Sequence, residues 1–373
     1  MITKKKITMK DIAADSGVSV SSVSMILNSK KDVSFSDETI NKVFDSAKKL
    51  GYQLKDTEIS KPAVVFENAN SKNIIAVFCP NISNAYYATI SQSIEQAAYL
   101  NNYKTIILTT FRDADLEKEM IKNVINMNVK GIIFTMMPSC PEFLEEISKK
   151  FPLVTIGSRA SSLDATIIET SNYTEGTLIG EHLFQLGHRH IAFITTTINT
   201  TVSLAMRYQR LKGIQDTFEK LSGNENYSIT IKEAKISPEQ ERSNLFIEHE
   251  TGYNLSLKCL EDKKSKITAF IGNNDMVAYG IMDAILTKGY KIPEHYSVCG
   301  FDNDFASSFL PISLTTVEHY MQDKGKKAFE MLYEKINKKE NNIVQDEKCI
   351  IRIEYKPKLI IRNSTGKNNK NNI

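Results

Sequence analysis

From residue 73 onward the chain alternates short, unbroken apolar runs with amphipathic stretches, and this rhythm constrains the fold more than any other feature. IIAVFC (74–79), TIILT (105–109), GIIFT (131–135) and LVTIG (153–157) read as strands, separated by helical patterns over 86–101, 115–127 and 142–150. Runs without polar alternation must be buried on both faces, which an α/β fold achieves by covering a parallel sheet with helices on each side. The rhythm restarts with a helix over 174–186, then IAFI (191–194), a helix through Arg210 and Gly213, ITI (229–231), a helix ending near Glu261, AFIG (269–272), a helix over 275–288 and SVCGF (297–301). Two similar lobes are therefore expected, each a doubly wound parallel sheet, without a literal sequence repeat. They would face each other across a cleft at the carboxyl ends of their strands, where open α/β sheets bind small ligands.

The first fifty residues follow a different period. In TMKDIAADSGVSVSSVSMILN (8–28), Met9, Ile12 and Ala13 share one helical face, Thr8 caps the start and Gly17 permits the turn. Ser19 caps a second helix whose stripe is Val23, Ile26 and Leu27, leaving Val20, Ser21, Ser22, Ser24 and Met25 outside. A small, hydroxyl-bearing outer face can lie close to phosphates and base edges in a major groove. The same residues also suit an ordinary helical hairpin with a serine-rich solvent face. A third helix over 37–50, with Ile40, Val43, Phe44 and Ala47 inward and Gly51 after it, completes a minimal all-α domain. Residues 1–61 hold eleven Lys against eight acidic residues, so the whole net charge of +3 sits with the helix pair. That is the electrostatic footprint expected of a DNA binder.

The 373 residues lack any 18-residue apolar run, and MITKKKITMKD has no apolar signal core, so neither the membrane nor secretion is expected and the cytoplasm is. The five cysteines are odd in number and scattered, which suits reduced core residues rather than disulfides or a zinc site. GxxxxGK[ST], GxGxxG after a strand, GxSxG and HExxH are all missing, so no catalytic residue, cofactor or metal is expected.

GVSVSSVSMILN followed by ETINKVFDSAKKLGY resembles the headpiece of the lactose/galactose repressor (LacI/GalR) family of bacterial transcription factors. The resemblance implies that the helix after Ser19 is the recognition helix, with Val20, Ser21 and Met25 at bases and Ser22 and Ser24 at phosphates. Thr8, Ser19 and Asn28 complete the expected DNA contacts. Two departures stand out: Met25 and Ile40 occupy positions where the family usually has arginine, and the loop over 29–35 is two residues longer. The family's Ala-Arg-x-Leu hinge pattern has no counterpart in 56–72. There Pro62 either starts a short helix, PAVVFENA, offering Val64, Val65 and Phe66 as minor-groove wedges, or lies in a plain tether.

PNISNAYYATI (80–90), GEHLFQLGHRHIAFI (180–194), RLKGI (210–214), the long segment 267–303 ending in CGFDN, and PISLTTVEH (311–319) resemble the effector-binding core of the same family. That core is similar to periplasmic sugar-binding proteins. The resemblance places Tyr86 and Tyr87 as aromatic walls, and Asp275 and Arg210 as the acceptor and donor for a polyol. Arg159, Arg207 and Asn303 are added by position. Asp275, at a helix start, can equally serve as a plain cap. His182, His188 and His190 fall in LGHRHI, which resembles a structural helix-to-strand turn of the family. The expected organisation is a helix-turn-helix headpiece (1–55), a hinge (56–72), a periplasmic-binding-protein-like core (73–362) and a disordered tail (363–373). The expected protein is a dimeric repressor that binds operator DNA under control of a small polar effector, a sugar or sugar phosphate. A solute-binding protein for sugar uptake would share the core, but the headpiece and the missing signal peptide weigh against it.

Overall fold

The computed structural model describes residues 7–27, 35–50, 52, 73–157, 166–198, 205–341 and 351–368. Asn28, Arg159, most of the 29–35 loop and the whole of 56–72, Val64, Val65 and Phe66 included, lie outside the described residues. The chain divides into two compact units, 1–69 and 70–373. Among the described residues no helix is long and apolar enough to cross a membrane.

The first unit contains α1 (Met9–Ser16), α2 (Val20–Leu27) and α3 (Asp37–Leu50). Gly17, at φ 70°, ends α1 in the left-handed conformation that an L side chain resists, and so sets the tight turn into α2. Ile12, Val23, Ile26, Leu27, Val43 and Ala47 form the small core. Phe44, expected inside, is 41% exposed. The buried stripe of α3 instead includes Ser46, whose hydroxyl donates to the Ile12 carbonyl at 3.4 Å, and this turns Phe44 outward.

The second unit begins with β1 (Ile74–Cys79), α4 (Ala85–Leu100), β2 (Lys104–Thr109), α5 (Ala114–Asn126), β3 (Gly131–Phe134), α6 (Pro141–Ser148), β4 (Leu153–Ile156) and β5 (Thr166–Thr170). The chain then crosses to α7 (Asn172–Gln185), β6 (His190–Thr196), α8 (Ala205–Ser222), β7 (Ser228–Ala234), α9 (Pro238–Ser243), α10 (Ile247–Glu261), β8 (Ala269–Gly272), α11 (Asp275–Thr287), β9 (Ser297–Cys299) and β10 (Thr316–Glu318). It returns for α12 (Met321–Glu340) and β11 (Arg352–Tyr355), and crosses once more to β12 (Lys358–Ile360). The first lobe's sheet runs β11-β5-β4-β3-β1-β2 and the second's β7-β6-β8-β9, with every pairing parallel. β10 and β12 pair antiparallel beside the crossings. The crossings join the lobes at one edge, here called the hinge side.

Residues 363–368, expected as part of a disordered tail, are built into the second lobe. Ser364 is fully buried, its hydroxyl donating to the Val298 carbonyl at 2.6 Å and accepting from the Thr315 N–H at 2.7 Å. His188 touches Thr268, Ser297 and the Gly366 carbonyl, and burial holds its pKa down at about 4, so it is a neutral pin. Polar composition alone hid this, because short hydroxyl side chains can satisfy strand-end groups that no local pattern reveals.

Candidate functional site

The outward face of α2 carries Val20, 42% exposed, and Ser21, with Ser22, Ser24 and Met25 half-buried beside the core stripe. Ser19 caps the helix, its hydroxyl accepting from the Ser22 N–H at 3.2 Å and lying 2.9 Å from the hydroxyls of both Ser21 and Ser22. Thr8 is tied at the start of α1, its backbone N–H and hydroxyl both donating to Asp11 Oδ2 at 2.7 Å. The surface is small, polar and free of charge, with an apolar tip at Val20.

Between the lobes lies a narrow cavity of about 40 Å³. From the first lobe it receives Tyr86 and Tyr87, which the Asn84 cap places on the first turn of α4 by accepting from the Tyr86 N–H at 2.8 Å. The rings meet edge to face at 5.1 Å, and burial pushes both phenols up, so they stay neutral. From the second lobe come Arg207 and Arg210, both on α8. A Cβ on Gly176 would meet the Arg210 carbonyl at 2.0 Å, and one on Gly213 the Tyr173 carbonyl at 2.1 Å. Only glycines allow α7 and α8 to approach this closely, and the approach brings Arg210 against Glu175. Arg210 Nε donates to Glu175 at 3.0 Å, Nη1 to the Asn273 carbonyl at 2.6 Å, and Nη2 lies 3.3 Å from His319. Burial pushes the Glu175 carboxyl up, but His319 and Arg210 outweigh it and hold it well below the usual range.

The floor on the hinge side is made by Thr170, Asp302, His319 and Lys324. His319 is 3.0 Å from both Glu175 Oε2 and Asp302 Oδ1. The mouth on the far side is closed by contacts between lobes. Asn81 and Asn84 donate to Glu241 and Glu248 at 2.9 and 2.6 Å, Arg112 lies 3.7 Å from Glu241, and Arg242 donates to Asp113 at 3.3 Å. Phe111 and Arg112 take φ values of 51° and 56°, a strained left-handed pair that aims this loop at α9.

Tyr86, Tyr87, Arg207 and Arg210 are thus brought together, whereas Asp275 and Asn303 are not. Asp275 is fully buried behind the cavity wall: one carboxylate oxygen accepts from Thr316 at 2.6 Å and the other from the Asp304 N–H at 3.0 Å. Burial and the charges of Asp302 and Asp304 push its pKa well above the usual range, and the helix cap is Asn274. Asn303 points away from the cavity, donating to Glu318 at 2.6 Å and accepting from Arg362 at 2.5 Å. The acid of this turn that lines the cleft, alongside Glu248 of α10, is Asp302, one residue earlier, where φ values of 130° and 54° at Asp302 and Asn303 turn the chain. Among the described residues no group of three metal-ligating side chains occurs.

Residues 8–54 match the model of bacterial regulatory proteins of the lacI family, and residues 181–365 that of the periplasmic binding protein-like domain. The chain is 29% identical over 373 residues to the HTH-type transcriptional repressor PurR of Mannheimia succiniciproducens, spanning 96% of this chain and 99% of that relative. It is 26% identical over 348 residues to catabolite control protein A of Priestia megaterium, spanning 91% and 96%. A solved LacI family transcriptional regulator from Enterococcus faecium, with bound ribose, has the same fold at a TM-score of 0.65 and 22% identity, covering 79% of this chain and 99% of that one.

Proposed function

Because the chain belongs to the lacI family of bacterial regulatory proteins and is a DNA-binding transcription regulator, we propose that it is a homodimeric repressor released from or secured to its operator by a sugar or sugar phosphate bound between the lobes. The observation that carries this reading is the cavity itself, where tyrosines of one lobe face guanidinium and carboxylate groups of the other. A ring face suits the apolar side of a pyranose or furanose, and paired donors and acceptors suit its hydroxyls. A ligand touching both lobes favours the closed arrangement, and only such differential binding can alter operator affinity. Two recognition helices must reach half-sites about 34–36 Å apart, which calls for a dimer. The base-reading residues are Val20, Ser21 and Met25, with Thr8, Ser19, Ser22 and Ser24 along the backbone; Asn28 and the effector candidate Arg159 lie outside the described residues.

Selecting operators from a random DNA pool tests the reading. Met25 has no donor for guanine, so the wild type should tolerate A·T at one symmetric pair of positions. Met25→Arg should gain a preference for G there, by about 1–3 kcal/mol. Selection of the same guanine by both proteins would show that Met25 does not face the bases. Operator binding should also shift on adding a sugar that raises the melting temperature of the core.

A further inference from the structure

Lys324 lies on the floor of the cleft, in the first turn of α12. It falls within that helix's buried stripe of Met321, Gly325, Ala328, Phe329 and Leu332, and is only 2% exposed. Its ammonium donates to the Thr170 hydroxyl at 3.3 Å, and no ion pair joins it to a carboxylate among the described residues. The other cations around the cavity are paired: Arg210 with Glu175 at 3.0 Å, Arg207 with Glu248 at 3.7 Å and Arg112 with Glu241 at 3.7 Å.

The carboxylates facing Lys324 from neighbouring elements have other partners. Glu175 on α7 is held by Arg210 and His319, Asp302 after β9 lies against His319, and Glu318 on β10 accepts from Asn303 and the Tyr320 N–H. A buried ammonium whose direct partner is a neutral hydroxyl has lost its hydration, and the carboxylates of Glu175, Asp302 and Glu318 nearby offset this only in part. Burial accordingly brings its pKa down to about 8.

We propose that the effector bears an anionic group, a carboxylate or a phosphate, which Lys324 receives at the floor of the cleft beside Thr170. The proposal rests on the cleft being the effector site. A neutral hydroxyl could accept one hydrogen bond from Nζ but would leave the charge uncompensated, whereas an anion supplies both. The balanced pairs at Arg207 and Arg210 remain for the neutral hydroxyls.

Calorimetric titration of the full-length protein with matched sets tests this: D-ribose, D-ribonate and D-ribose 5-phosphate, and D-glucose, D-gluconate and D-glucose 6-phosphate. An anionic member should bind about tenfold or more tightly than its neutral parent, and the acid and phosphate arms identify which anion. Lys324→Met should bring the anion's affinity to that of the parent, and Lys324→Arg should retain the preference. The Met variant should melt no lower than the wild type, since a thioether in the same stripe carries no desolvation cost. A neutral parent that binds as tightly as its anions, or a preference that survives Lys324→Met, overturns the anion site and leaves the sugar reading standing. If no member of either set binds, both readings fall.

Discussion

The two ends of the cleft are both polar, yet they hold the lobes in different ways. At the hinge-side floor, Glu175, Arg210, His319 and Lys324 are nearly or fully buried, and three of them share one network. At the mouth, Arg112, Glu241, Arg242 and Asp113 keep 13–49% of their side chains exposed, and their pairs span the lobes. In the low-dielectric floor a lost partner strands a charge, while at the mouth water replaces it. The difference makes the floor the rigid end of the cleft and the mouth the end at which lost contacts cost least.

The largest effect is expected at the floor. Arg210→Met leaves the buried Glu175 carboxylate with His319 alone and should cost about 3–5 kcal/mol in urea unfolding of the second unit, along with effector binding. A loss below about 1 kcal/mol would mean that the floor is as solvent-screened as the mouth, and the contrast would fail.

Lys324 gives an effect of intermediate size with a definite sign. Its pKa is about 8 in the fold against 10.5 when exposed, so between those values the unfolded chain binds more protons and stability rises with pH. Relative to Lys324→Met, the wild type should gain about 3 kcal/mol across that window. A difference that stays flat from pH 7 to 11 would show that the ammonium is hydrated or already paired.

At the mouth the expected effect is smallest. Glu241→Ala removes the contacts to Asn81 and Arg112 and should cost about 1 kcal/mol or less, with a several-fold weaker effector affinity because the closed arrangement is less populated. Small-angle scattering of the variant without effector should show a more open core. A stability loss rivalling that of Arg210→Met would place the rigid element at the mouth instead.

The sequence by itself determined the helix-turn-helix and the two parallel-sheet lobes, because period and capping are local properties. Thr8, Gly17, Ser19 and the 23/26/27 stripe announce the helix pair, and runs such as IIAVFC and AFIG announce buried parallel strands. It also carried Tyr86, Tyr87, Arg207 and Arg210, which stand just after a strand or on one helix facing the same cleft. A further signal lies in α12, where Lys324 sits three residues after Met321 and four before Ala328, at stripe spacing, which places this lysine on the buried face.

The rest was decided only by tertiary structure. Asp275 and Asp302 both follow strands in the second lobe, and nothing local distinguishes them. Thr316 and the backbone of Asp304 close around the first, while a left-handed turn delivers the second to the cavity. The pinning of 363–368 and the three crossings of the hinge likewise depend on groups far apart in the chain. Burial and hydrogen bonding across such distances fix which of several equivalent polar residues meets a ligand and which becomes part of the wall.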